Sequence, residues 1–558
     1  MKPRVGKLFS ALISIVFLFS AIGLETPAKA ADSFVYTDFA ANDFGLWSQS
    51  SIYGQDRKGS NKLEDWKQLW CAGWDDPSCS VYDNLFADLI LGPCVGDSDR
   101  ACLDSLEAKN SSGVLEKLSL YGEATSQKIA KHQFKSGASL VDIPAGGGLS
   151  VWKSSVKNSD GSDRLYAAHI LLRYIATSAR QSGESADKIV LSDFKGQIYP
   201  VTMKPGGTCT EFSIGTDCVN SANFEGTEKL AVTLRMNKTL TGWVFGRMQN
   251  AEFAVTELDS SYNKIRIGGD VTLVPELAAK VAKSEISKDA KLEKYLRDFF
   301  TVGRVGVSTP NPGSGSFNDG SIGGFQSTTY EGFLSAQTTT RLISINFEKF
   351  ALFTAFEDHL KPYSPPASNN GRNILRETNS IFWNFGANSY IGTNKCSADK
   401  TKLHGMVVTN ASIFENGPPE YKDGSLNYRV AGIHHNIDGS VFKGRYTYIV
   451  QSDTARCYYG FSKAPIEARV EVVSSNNSSQ VATVLVSEKD GFIKLQADNF
   501  TFSSPTIKVK LIQNKETPAV APVKIIPKKS VTITCIKGKI SKKIVGANPK
   551  CPTGYKKK

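Results

Sequence analysis

The sequence predicts an α+β, β-rich multidomain protein: a disulfide-stapled body followed by a C-terminal β-sandwich-like domain. Three observations predict it. Ten cysteines fall mostly in close pairs along the chain, the spacing that staples local loops in an oxidising compartment. Short apolar, alternating runs are punctuated by Asn-Gly and Asp-Gly pairs, which is hairpin chemistry. The clearest helical periodicity is confined to one region, residues 276–374.

Residues 1–30 read as a secretory signal. Lys2, Arg4 and Lys7 form a positive start, Leu8–Leu24 an apolar core, and Ala28-Lys29-Ala30 a small-x-small cleavage pattern. An uncleaved anchor competes, because seventeen mostly apolar residues nearly span a bilayer. The cleavage pattern favours removal before Ala31, and no second apolar run of this kind follows, so no transmembrane span is expected in the mature chain. Its remaining length of about 528 residues implies roughly three or four domains. With 41% hydrophobic and 22% charged residues, the composition can support large cores.

Export accounts for the cysteines. Cys209 is expected to bond Cys218, Cys396 to bond Cys457, and Cys535 to bond Cys551. Cys71, Cys79, Cys94 and Cys102 leave two arrangements open: 71–79 with 94–102, or the nested 71–102 with 79–94. Zinc would call for CxxC-like pairs near His, and no CxxC occurs.

Region 31–130 is aromatic and cysteine-rich. Trp66, Trp70 and Trp74 would form one stripe on a helix, suited to core packing or to stacking on sugar rings. Region 131–275 is expected to be a β-domain with strands over Leu165–Ile175, Ile189–Val201, Lys229–Arg235 and Gly242–Gly246, then Tyr262–Leu273 around a Gly268-Gly269 turn. Pro144–Ser150 reads as a flexible turn. It lacks the Gly-Lys-Ser/Thr of a phosphate loop, and Trp152 stands where a nucleophile elbow needs Gly.

Region 276–374 reads as helical, with Pro275 at its start. Leu292, Tyr295, Leu296, Phe299 and Phe300 share a helix face. Gly303–Gly324 reads as a long mobile loop and Phe347–Leu360 as a second helix. Region 375–514 reads as the β-sandwich, with strands over Asn427–Ile433, Arg445–Val450, Ala468–Val473, Val481–Val486 and Ile507–Leu511. Its turns fall at Asn416-Gly417, Asp423-Gly424, Asp438-Gly439 and Asp490-Gly491. Residues 515–530 form a Pro-containing, extended linker to a lysine-rich two-cysteine tail, 531–558. In that tail Val531, Ile533 and Cys535 alternate, and Lys537-Gly538-Lys539 could turn a small disulfide-closed hairpin.

Three words in the last third of the chain carry a resemblance: Leu426–His434, Ser452–Phe461 and Phe500–Thr506. With the tail blocks Thr534–Lys539 and Asn548–Tyr555, they resemble segments of uncharacterised exported actinobacterial proteins that share a C-terminal β-module and a Lys-rich two-Cys tail. Gly242–Arg247 is similar to the same group. The resemblance implies export and brings no activity or catalytic residue with it.

The residues assemble no catalytic site, metal site or cofactor site. Of six histidines only His434 and His435 are close, and neighbours on a strand face opposite ways. No HExxH and no complete calcium loop occurs.

Charge is more informative. Of the formal +12, residues 1–30 carry +3 and residues 524–558 carry +11, which leaves residues 31–523 at −2. A near-neutral body does not read as a nucleic-acid binder. The tail's candidate anion-binding residues are Lys528, Lys529, Lys537, Lys539, Lys542, Lys543, Lys550, Lys556, Lys557 and Lys558. Lysines beside an anionic surface contribute up to about 1 kcal/mol each. The expected function is therefore that of an exported, non-catalytic, envelope-associated protein whose partner is an anionic polymer or lipid surface. The alternatives are a secreted hydrolase of polysaccharide or another polymer, and an adhesin or glycan-binding module. N-terminal sequencing of the exported protein should begin at Ala31; a start at Met1 would overturn the reading of the leader.

Overall fold

The computed structural model describes residues 34–39, 50–56, 67–72, 76–77, 84–126, 143–176, 189–209, 211–225, 228–301, 305–308, 340–344, 378–388, 395–399, 402–415, 417–436, 440–462, 466–473, 479–481, 483–502, 506–513 and 530–558. Strands dominate, arranged in several sheets. The predicted strands are present, most of them longer than their apolar cores suggested: Asp163–Ala176, Ile189–Pro205, Lys229–Asn237, Gly444–Gln451, Ile466–Val473 and Thr506–Gln513. Polar ends join a ladder through backbone bonds alone, so pattern underestimates strand length.

Six antiparallel strands close into a small barrel. Ser119–Ser126, Leu149–Lys157, Asp163–Ala176, Ile189–Pro205, Asp217–Ser221 and Phe212–Ile214 pair in that cyclic order, the last returning to the first at Phe212–Ser126. Alternation decides the filling. Leu165, Ala167 and Leu171 pack inward with Leu149, Val151 and Phe212, and His169 shares their parity, its ring edge-on to Phe212 at 5.6 Å. Tyr166, Ala168, Ile170 and Leu172 face a second core outside the barrel.

The strand Ile189–Pro205 belongs to the barrel and also starts a longer sheet. Its residues 194–197 pair with Asn384–Asn388, followed in order by Gly242–Arg247, Leu403–Thr409, Gly444–Gln451, Phe492–Phe500 and Thr483–Lys489. Gly242–Arg247 and Leu403–Thr409 run parallel and are buried at every residue. Both faces of this sheet are covered. On one side Val244, Met406, Val408 and Ile449 meet the sheet that contains Lys229–Asn237 and Tyr262–Asp270. On the other, Phe245, Val407, Tyr446 and Tyr448 meet Ser425–Ala431, Ile466–Val473 and Thr506–Gln513. The described strands from Asn384 to Gln513 thus lie in two facing sheets, one of which continues through strands from residues 189–247, while Thr378–Phe382 pairs with Thr272–Ala282 in another sheet.

Several expectations are corrected. Gly268 and Gly269 lie inside Tyr262–Asp270 and not at a turn; a Cβ at Gly269 would lie 2.8 Å from the Gln249 carbonyl oxygen, and one at Gly268 3.2 Å from the Ala231 Cβ. Trp70 sits on a strand, Lys67–Cys71, so no helical Trp stripe forms; Trp66 and Trp74 lie outside the described residues. Pro275 is within Thr272–Ala282, and the amphipathic helix starts only at Ala290. Leu292, Tyr295 and Leu296 are buried as its face predicts. Within Gly303–Gly324, Val305–Ser308 is a strand paired with Thr340–Ser344. Phe347–Leu360 lies outside the described residues, as do Asn416, Asp438 and Gly439. Val481–Val486 is two strands, Ser479–Val481 and Thr483–Lys489. Asp423-Gly424 and Asp490-Gly491 are turns as expected, with positive φ at all four residues.

The close approach of strands can be tested at Gly246. A Cβ there would lie 2.2 Å from the Asn384 carbonyl oxygen and 2.9 Å from Phe385 Cα, and main chain in a covered sheet yields little. Gly246→Ala should destabilise by about 3 kcal/mol in urea unfolding. Gly96→Ala, where a Cβ meets nothing within 4 Å, should leave the midpoint unchanged.

Candidate functional site

The tail is an antiparallel sheet of three strands. Val531–Lys537 is central, with Ile540–Gly546 on one side and Lys556–Lys557 on the other. Lys537 pairs with Ile540, and Gly538 makes the turn at φ +58°, a conformation open to glycine at no steric cost. Ile533 and Cys535, on one side of the central strand, are buried, whereas Val531 is 53% exposed, Ile540 60% and Val545 63%. Two buried side chains make no core. Cys535–Cys551 closes the module, as the spacing predicted, with Cα atoms 5.6 Å apart, and the Lys558 N–H donates to the Thr534 carbonyl at 2.9 Å.

The cations of this module are presented to solvent. Lys537, Lys539, Lys542, Lys543, Lys550, Lys556, Lys557 and Lys558 are all exposed. Lys542 holds its ammonium 5.9 Å from the centre of the Tyr555 ring, a contact between residues thirteen apart that their spacing alone did not signal. Residues 531–558 contain no Asp or Glu, so no acidic side chain within the module neutralises the lysines. Lys528 and Lys529 lie outside the described residues.

Three more pairs are closed among the described residues, two of them within ten residues and one across a separation of 61. Cys94–Cys102, Cys209–Cys218 and Cys396–Cys457 are disulfides. The first excludes the nested arrangement; Cys71 is bonded too, and Cys79 lies outside the described residues. Such a cysteine complement belongs to an oxidising, non-cytoplasmic setting. No helix among the described residues is long and apolar enough to cross a membrane.

The described histidines do not converge. His404 is buried between the Thr454 hydroxyl at 3.2 Å and the Asp399 carbonyl at 3.0 Å, and burial lowers its pKa against the opposing effect of Asp399. His434 and His435 follow the end of Ser425–Ala431 instead of lying on it, their ring centres 6.4 Å apart. Among the described residues no three His, Cys, Asp or Glu side chains are grouped as metal ligands.

Two concavities bear on the hydrolase alternative. One, about 520 Å³ with its open mouth, is bordered by Asp160, Arg164, Tyr166, Glu225 and Glu228. Its carboxylates have partners: Glu225 pairs with Arg164, Glu228 accepts the Glu225 N–H at 2.8 Å, and Asp160 accepts the Ser162 hydroxyl at 2.6 Å. The other, about 890 Å³ with its mouth, lies between Ala145–Gly147 and the loop closed by Cys94–Cys102. Its Gly-rich wall is not the flexible turn expected from sequence. The Gly147 N–H donates to the Ile90 carbonyl at 2.8 Å and its carbonyl accepts from Ser50 at 3.0 Å. Ser150 is buried, accepting from the Trp152 indole at 3.0 Å. Sequence reading could not have brought Gly92 beside Gly147, since they meet only because Asn84–Ile90 and Leu149–Lys157 pair in turn with the same strand, Asp163–Ala176.

Arg235 braces the loop of this second cleft. Its guanidinium reaches the carbonyls of Gly96, Asp97 and Asp99 at 3.0, 2.8 and 3.1 Å and the Asp104 carboxylate at 2.8 Å. Burial alone would raise the Asp104 pKa; hydrogen bonds from Arg235 and Lys264 outweigh it and hold the carboxyl below its ordinary value.

Comparison with known proteins adds no identification: no protein-family profile and no curated protein matches the chain.

Two outcomes follow from this geometry. The Cys535–Cys551 loop, with a sequence separation of 16, should stabilise the tail by about 3 kcal/mol. Cys535→Ser with Cys551→Ser should abolish amide-exchange protection at Ile533–Ile536 and leave the body's protection intact. The depressed Asp104 pKa means that the unfolded chain binds its proton first, so its contribution is complete above about pH 4 and is lost as pH falls through the folded value. Acid titration should loosen the 94–102 loop in exchange measurements, and Asp104→Asn should lessen that pH dependence, leaving the part carried by Asp99, whose carboxylate accepts the Val95 and Gly96 N–H groups at 2.6 and 2.9 Å.

Proposed function

We propose that this protein is exported and acts, without catalysis, at the cell envelope, retained by electrostatic attraction of its C-terminal sheet to an anionic polymer or lipid surface. The observation that carries this reading is the segregation of charge. Eight exposed lysines stand on a disulfide-closed sheet with no acidic side chain, behind a body of net charge −2. A solubilising function alone would need no fixed scaffold, whereas a sheet holds its ammonium groups at set positions. The leader pattern, the disulfides and the resemblance to exported actinobacterial proteins support the same location.

Retention should weaken with ionic strength, because exposed charges are screened over about 8 Å at physiological salt. On isolated envelopes at low salt, the full chain should bind at least roughly tenfold more tightly than a chain ending at Gln513. The difference should vanish in high salt. Equal binding at low salt would remove the tail from the account, and turnover of glycans by the truncated chain would favour the hydrolase reading.

A further inference from the structure

We propose that the partner of the tail is a flexible linear polyanion, such as a polyphosphate or polycarboxylate chain, and not a planar lipid surface. This rests on the retention function proposed above and narrows it. The strand register carries the argument, since directly paired residues in an antiparallel sheet project from the same face. Cys535 pairs with Lys542 on one side and Lys557 on the other. Lys537, two residues along the same strand, shares their side. Thr534 pairs with Lys543, and Ile536 with Lys556, so these two lysines project from the opposite side. Lys539 stands at the turn, Lys550 in the connection that carries Cys551, and Lys558 at the end of the chain.

Charge therefore surrounds the module instead of painting one face. A flat bilayer can meet only one side of a rigid sheet, which strands the ammonium groups of the other side beyond close contact and screens them. A chain that bends can visit both sides and the turn. The exposed aliphatic residues give the same answer. Val531 and Ile540 stand on the Cys535 side and Val545 on the other, so neither side has the segregated apolar face of an interfacial element. Tyr555 is half-buried under Lys542 and is not offered to an acyl layer.

Binding of the full chain to long-chain inorganic polyphosphate and to phosphatidylglycerol-containing vesicles tests this, with phosphatidylcholine vesicles as the uncharged control. Two double variants divide the lysines: Lys542→Gln with Lys557→Gln, and Lys543→Gln with Lys556→Gln. All four positions are exposed, and amide exchange at Ile533–Ile536 reports whether the sheet persists. Each pair should weaken polyphosphate binding to a similar extent and lower the slope of log affinity against log salt by roughly 0.7 per lysine. Vesicle binding should be the weaker of the two. If only one pair matters and vesicles bind more tightly than polyphosphate, the polymer partner is wrong while electrostatic retention stands. If the full chain binds neither probe better than a chain ending at Gln513, the retention function itself fails.

Discussion

The body depends on a short strand that is enclosed on every side. Gly242–Arg247 pairs antiparallel with Asn384–Asn388 and parallel with Leu403–Thr409, and its faces feed two cores at once. Trp243 and Phe245 point into one core and Val244 into the other. Gly246 lets the neighbouring backbone close over it. Arg247 ends the strand fully buried, donating to the carbonyls of Ala411 and Ser412 and lying 4.9 Å from the Phe414 ring centre. Taking a guanidinium out of water costs several kcal/mol unless its donors are satisfied, so this end of the strand ties the Asn410–Phe414 segment to the sheet. Chain segments well over a hundred residues apart meet here, and neither covering sheet could pack without it.

The tail obeys a different economy of forces. The body buries dozens of apolar side chains in contiguous cores, each contributing about 1.5–3 kcal/mol relative to exposure. The tail buries little beyond Ile533 and Cys535 and relies on a covalent loop. That division leaves the lysines of the tail charged and in water. Lysines packed into a hydrophobic module would lose hydration, whereas a covalently closed sheet lets them all remain in water. Apolar stability is kept in one part of the chain and cationic charge in another.

The legible features were local ones. Val430, Tyr446, Tyr448, Val470 and Val509 are buried in strands that the short apolar runs marked out, because a strand's apolar content is written in its own residues. Asp423-Gly424 and Asp490-Gly491 turn because both residues tolerate positive φ. The same local reasoning failed where glycine serves a neighbour: Gly268 and Gly269 looked like a turn and are strand. It failed again at Trp70, whose helical spacing with Trp66 and Trp74 held no information about the strand Ser51–Asp56 that it pairs beside. For the tail, the lysines, the disulfide and the turn could be read directly, while the division of Lys542 and Lys557 from Lys543 and Lys556 required the register.

By itself the sequence determined the covalent and electrostatic character of this protein: cysteines in an even number suited to disulfides, a β-rich chain, a nearly neutral body and a cationic end. These are sums and short-range patterns, which need no knowledge of distant neighbours. Only the tertiary structure decided which strands share a sheet, that six of them close on themselves, and that Gly242–Arg247 lies between partners far along the chain. Hydrogen-bond pairing between β-strands is blind to sequence distance. Burial on two faces becomes visible only when both covering layers are in place.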